Sequence, residues 1–235
     1  MILRWLIFFS ALPLYAGTVS GRVELRDSRD PAVRKRLDYS GVVVSLKPLG
    51  AGATARPQPA RATMLQKNKT FSPHILAITV GASVEFPNAD PIFHNAFSSY
   101  NGEIFDVGLY PPGSTKAVNF TREGIVRVFC NIHSSMSAVI VVLGTPYFAT
   151  TGRDGSFSIP NVPAGEYELE AFHERATDAT LRALARHVTV EQGPLVTPPF
   201  EISEAGYLPM PHKNKYGRSY PAESDDHSIY PAVRK

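Results

Sequence analysis

The stretch "VRVFCNIHSSMSAVIVVLG", Val126–Gly144, decides how the chain is read. It holds the only cysteine of the protein, Cys130, with His133 three positions on and Met136 three further. Both flanks are runs of β-branched and apolar residues, the pattern of buried strands. A thiol, an imidazole and a thioether therefore share one short loop between two strands. A lone cysteine forms no internal disulfide. Four readings are open to it: apolar filler, intermolecular link, nucleophile or metal ligand.

Working outward, strand-like segments recur at 18–25, 41–47, 74–80, 82–88, 115–121, 124–130, 138–143, 155–160, 166–172 and 186–191. Turn signals such as "PPGS", "GRDG" and "NVPAG" separate them. Only "ATDATLRALAR", 176–186, has the spacing of a short helix. With 17 glycines and 20 prolines, the composition is that of a turn-rich β protein. The expected class is all-β, built of sandwiches. The stretch 49–62, "LGAGATARPQPARA", reads as a linker, and 204–235 as a flexible tail without periodicity. A dispersed net charge of +3, with no basic run interleaved with aromatics, excludes nucleic acid as an expected partner.

Residues 1–16, "MILRWLIFFSALPLYA", read as a secretory signal: Arg4, an apolar run, then the small Ala16. The mature chain is then expected to be periplasmic or secreted, to start near Gly17 and to carry no transmembrane span. Oxidising compartments favour paired cysteines, which makes a solitary Cys130 harder to read as a structural bridge.

Two resemblances divide the chain. The segment 149–172, with Asp154-Gly155 and then Pro163, Gly165 and Tyr167, resembles the second half of a carboxypeptidase regulatory-like (transthyretin-like, Ig-like) β-sandwich. "GTVSGRVEL" and "GVVVSL" are similar to its first half, about 100 residues upstream. The resemblance implies a discontinuous sandwich of 17–48 and 146–203 with a domain inserted; the rival account makes the first strands part of that middle domain. Residues 63–145 resemble the cupredoxins, copper-binding Greek-key β-sandwiches. The match runs through "FSPHILAITVGASVEFPNADPIFHNAFS" and the 111–136 block. The amicyanin subgroup is similar in this loop too, which also reads C-x-x-H-x-x-M. The whole arrangement is similar to exported bacterial proteins labelled methylamine-utilisation or plastocyanin-like.

A mononuclear type 1 copper site needs a thiolate and a thioether for the cuprous state and imidazoles for both states. The loop supplies one of each, and the resemblance implies that His94, in an H-N pair after a strand, is the upstream ligand. The expected ligand set is His94, Cys130, His133 and Met136. Asn95 is expected to tie the His94 loop to the segment beside Cys130. Pro91, Ile92, Pro111 and Pro112 are expected to form an apolar docking patch around an exposed edge of His133. Ser134 and Ser135 stand where these relatives usually place proline, which implies a looser loop.

The implied function is one-electron transfer between periplasmic redox proteins, without catalysis. Sequence signatures of hydrolases, zinc proteases or nucleotide-binding loops are missing, as are the H-x-H clusters of copper oxidases. A copper chaperone or store, or a non-redox surface binding module, are the rival readings. His74 is expected to bond backbone. His173, Glu174 and His187 are expected to be solvated strand-end residues, and His212 and His227 to lie in the tail. Met64 and Met210 are isolated.

Overall fold

The computed structural model describes residues 16–50, 58, 60–99, 102–208 and 212–220. The stretch expected to be a signal, through residue 15, most of the expected linker, Met210 and His227 lie outside them. In chain order the elements are β1 (Ala16–Arg26), α1 (Pro31–Arg36), β2 (Val43–Pro48), β3 (Arg61–Thr63), β4 (Leu65–Lys67), β5 (Thr70–Ser72), β6 (Ile75–Thr79), β7 (Ser83–Pro87), β8 (Phe97–Ser98) and β9 (Phe105–Asp106). There follow β10 (Thr115–Asn119), β11 (Gly124–Phe129), β12 (Ser137–Leu143), β13 (Phe148–Thr150), β14 (Ser156–Pro163), β15 (Gly165–Phe172), α2 (Asp178–Leu184), β16 (Arg186–Val190), β17 (Pro194–Val196) and β18 (Phe200–Ser203). The class is all-β.

Pairing sorts the strands into two sets. In the outer set β1 pairs with β14, β17 and β18, and a second sheet runs β13-β2-β15-β16. Their facing sides enclose one core, in which Val19, Val23, Val44, Leu46, Ile159, Tyr167, Leu169 and Phe200 are buried. In the middle set one sheet runs β10-β7-β3, the other β6-β12-β11-β8-β9, and β4 pairs with β5. A separate core lies among these strands, with Phe71, Val84, Phe86, Phe120, Val126, Val128 and Ile140.

The apolar runs that do not alternate explain how the two sets join. A strand with one wet face alternates; a strand covered on both faces does not. Along β12, Ala138, Ile140 and Val142 point into the middle core. Val139 and Val141 point the other way and meet Val43 of β2 in a third cluster, with Ile75, Ala77, Ile125, Leu143 and Phe172 packed around them. On the outer set's side, Val42, Val44 and Leu46 face the outer core while Val43 turns to this seam. Each buried valine contributes roughly 1.5–3 kcal/mol relative to exposure.

Turns and caps follow local chemistry. Asp30 caps α1 by accepting from Ala32 N, with Pro31 in the first turn. This helix carries a legible start signal that the spacing argument passes over. Thr177 caps α2 in the same way through Thr180 N. At the Asp154-Gly155 turn, Gly155 has φ +80° and a Cβ there would collide with the Val23 carbonyl, so only glycine fits.

A charged group sits at the join. His74 Nδ1 lies 3.1 Å from the Ser137 carbonyl and Nε2 lies 2.9 Å from both carboxylate oxygens of Glu174. Both ring nitrogens therefore face acceptors. The bond to Glu174 raises the His74 pKa, and the Ser137 carbonyl adds to it. Burial works against the Glu174 charge, but the His74 bond and the positive charges of His74 and Arg175 together outweigh it, and its pKa is lowered. His173 is 3% exposed and bonded to Glu204 at 2.9 Å, which also takes Ser28 Oγ and Arg175. The expectation of solvated strand ends thus fails for His173, whose acid partner lies 31 residues away in sequence. It holds for His187, which is exposed.

Two outcomes test this packing. Val141→Asp places an unpaired carboxylate in the apolar seam, and the denaturation midpoint in urea should fall by several kcal/mol equivalents of stability; an unchanged midpoint means the face is wet. For the His74–Glu174 pair, the raised His74 pKa gives stability that is full below the usual 6.5 and lost as pH rises through the folded value. The lowered Glu174 pKa gives stability present above the usual 4.5 and lost as pH falls through its folded value. The stability gap between the parent and His74→Gln should therefore peak at about pH 4.5–6.5 and shrink on both sides; a gap flat with pH contradicts the ion pair.

Candidate metal centre

The loop between β11 and β12 is closed by its own backbone. Cys130 N donates to Met136 O and Met136 N to His133 O, each at 3.2 Å. The ladder beneath continues in register from Phe129 opposite Ser137 to Gly124 opposite Val142. Cys130 and Met136 are both fully buried in the middle core. His133 sits between them at the apex and is 8% exposed.

His94 approaches from a second segment. After β7 ends in Pro87, Asn88 organises the chain: its Nδ2 donates to Ile92 O at 2.8 Å and its Oδ1 accepts Asp90 N. His94 then pairs with Tyr110 through two backbone bonds, N to O in each direction. Tyr110 is anchored in turn by its hydroxyl donating to Phe86 O at 2.9 Å. The fully buried His94 ring is thereby aimed at the loop.

The result is one compact donor set. Cys130 Sγ lies 3.7 Å from His133 Nδ1 and 4.0 Å from His94 Nδ1. All three donor atoms fall within 4.8 Å of one another, and the three side chains are buried. An ion with roughly 2.3 Å bonds to sulfur and 2.0 Å bonds to nitrogen, at angles between tetrahedral and trigonal, spans S···N separations of about 3.5–3.8 Å. The donors present fit a single ion.

The ring of His94 is set up for this. Its Nε2 lies 2.7 Å from Asp90 Oδ2, so Nε2 carries the proton and Nδ1 presents a lone pair to the cluster. Burial depresses the His94 pKa, outweighing the pull of Asp90 towards the charged form. Burial works to raise the Asp90 carboxyl, but the amides of Lys69 and Asn68 and the His94 ring together hold it below the usual carboxylate range. Asp90 was not among the residues read from the sequence. Its position four residues before His94 is the signal that could have found it.

Other expected roles are placed differently. Asn95 does not bond the segment beside Cys130. Its Nδ2 donates to Asp106 Oδ1 and Gly108 O, at 2.8 and 2.9 Å, and its Oδ1 is buried without a hydrogen-bond partner. The end of β9 and the stretch just after it take the amide instead. His74 is outside the donor set, bonded instead as described above. Pro91, Pro111 and Pro112 are exposed and Ile92 half-buried. Phe93 and Leu109, 36% and 57% exposed, are further exposed apolar side chains next to them in sequence. The edge of His133 that this surface was expected to surround is small.

The stretch read as tail has fixed contacts in its described part. The His212 ring stacks on Phe129 with centroids 4.1 Å apart, and Tyr220 Oη donates to the Cys130 carbonyl at 2.7 Å. The tail reading therefore fails for 212–220, whose two shortest bonds to the loop go to backbone carbonyls that leave no mark in the sequence pattern.

No family model and no curated protein matches the chain. Parts of solved structures are similar to it. A Cu-containing nitrite reductase from Thermus scotoductus is 29% identical over 41% of this chain and 25% of its own, with a TM-score of 0.34. A purple cupredoxin from Nitrosopumilus maritimus is 24% identical over 35% of this chain and 99% of its own, at 0.32. A reduced amicyanin variant is 16% identical over 44% and 99%, at 0.33. This chain thus spans only a quarter of the length of the nitrite reductase chain.

Asp90→Asn keeps the shape of the His94 partner and removes its charge. Metal affinity, read by competition with a chromophoric chelator, should fall about 10–100-fold. An unchanged affinity removes Asp90 from the site.

Proposed function

We propose that the protein is a type 1 copper protein that carries single electrons between redox partners. The single observation that carries this is the buried convergence of Cys130 Sγ, His133 Nδ1 and His94 Nδ1 on one point. A soft thiolate beside two imidazoles is the donor set that serves both cuprous and cupric copper. Copper held there supplies a one-electron couple.

The chain's own residues account for the rest. Cys130 and His133 are fixed by the closed loop, and His94 by its bridge to Tyr110 and its bond to Asp90. Met136, buried in the same core, would offer its thioether as the fourth donor to copper held there. Ligands held this way shift little when the charge on the ion changes, which is the requirement for fast electron transfer. The narrow exposed edge of His133 is the port, and the apolar surface of Pro91, Ile92, Phe93, Leu109, Pro111 and Pro112 is where a redox protein docks. Residues 1–16 act as a cleaved export signal, so those partners are periplasmic. The strands 17–48 and 146–203 form a scaffold domain around an inserted copper domain of 63–145.

Copper loading of the mature protein tests this. One cupric ion per chain with an intense thiolate-to-copper charge-transfer band is expected, and Cys130→Ser should abolish the band. Met136→Leu should keep the colour and raise the reduction potential. A colourless protein that binds only cuprous ion marks a chaperone or store, and no stoichiometric copper ends the reading.

A further inference from the structure

The four residues His133–Met136 form a β-turn, closed by Met136 N donating to His133 O. Its central residues are Ser134 and Ser135. Position i+1 of such a turn favours proline, whose ring fixes φ and stiffens the turn from within. Serine gives no such restraint. The turn nevertheless carries one donor of the cluster and adjoins another, both of which must stay at bonding separation.

A distant segment grips the turn from outside. Residues 212–220 are folded on themselves: Asn214 N donates to Arg218 O and Gly217 N to Asn214 O, while Asn214 Oδ1 takes the amides of Tyr216 and Arg218. From this compact unit three contacts reach the loop. His212 Nε2 donates to Ser134 O at 2.8 Å, Tyr220 Oη to Cys130 O at 2.7 Å, and Lys215 N to Asn131 Oδ1 at 3.0 Å. The stacking of His212 on Phe129 and its 3.2 Å approach to Tyr220 Oη lock the two gripping side chains to each other and to the end of β11. A fourth contact crosses to the other ligand. Lys215 Nζ pairs with Asp106 at 2.7 Å, and Asp106 accepts from Asn95, the neighbour of His94. One segment, some 80–90 residues downstream of the loop, therefore ties both ligand-bearing stretches together.

We propose that residues 212–220 are a brace of the metal centre, with Tyr220 and His212 as positioning residues that hold the Cys130–Met136 loop in its ligating shape before metal enters. The brace supplies from outside the stiffness that a proline at position 134 supplies from inside. The metal it serves is the copper of the proposed function, and the shape it holds exists with or without metal.

The test uses the full mature chain and two independent readouts. In the metal-free protein, amide hydrogen exchange of residues 130–137 should quicken about tenfold in Tyr220→Phe and more in Tyr220→Phe with His212→Ala, while amides of β1 and β14 keep the parent rate. In the copper-loaded protein, the same variants should shift the charge-transfer band and release cuprous ion to a chelator about tenfold faster. Adding Ser134→Pro to either variant should restore both readouts, which general loss of stability would not allow. Parent-like exchange and release in the double variant overturn the brace. Faster exchange that Ser134→Pro does not rescue overturns the equivalence with a stiffened turn. A parent that binds no copper defeats the copper reading alone, because the exchange measurement still decides the brace.

Discussion

The structure depends on one constraint: β12 is covered on both faces. Ala138, Ile140 and Val142 seal the middle core, and Val139 and Val141 seal the seam to the outer strands. A strand fixed from both sides has no freedom to slide, since a one-residue slip would exchange its two faces. Its antiparallel pairing with β11 then fixes the loop between them, and the Cys130–Met136 backbone bond is the last rung of that ladder. The register of the cysteine and methionine is thus a property of hydrophobic packing well away from them.

His94 reaches the same point by a different logic. It is held less by packing than by polar bonds: Asn88, Asp90 and Tyr110 each fix one part of its segment. A buried polar arrangement of this kind is costly if any member is missing and rigid when all are present. The site therefore joins a donor pair set by apolar burial to a donor set by a hydrogen-bond network.

What the sequence made legible follows the same division. The C-x-x-H-x-x-M spacing and the non-alternating run after it mark the loop and the doubly covered strand, because side-chain type and period record burial directly. His94 came from a resemblance, not from any pattern of its own. Asp90, four residues earlier, was open to view but carries no periodic signal. The three-residue strands β3, β4 and β5 are too short for alternation to register. Residues 212–220 read as tail because the bonds of His212 and Tyr220 run to the carbonyls of Ser134 and Cys130, and a carbonyl has no letter in the sequence. The expected tie from Asn95 to the cysteine segment exists only as a chain, Asn95 to Asp106 to Lys215 to Asn131, whose middle links lie in stretches that seemed unrelated.

The seam also bears on how far the outer strands can be treated as a passive frame. Glu174 lies in the loop after β15, yet it pairs with His74, and the same ring holds the Ser137 carbonyl. Ser137 is the residue after Met136. The outer strands therefore reach within one residue of the ligand loop on its β12 side, as the C-terminal segment reaches Cys130 and Ser134 on the other. A loop of seven residues cannot bury enough surface to define its own shape. Here its shape is imposed from two sides by segments far apart in sequence. For that reason the middle strands taken alone contain the donor atoms but not all of the contacts that place them.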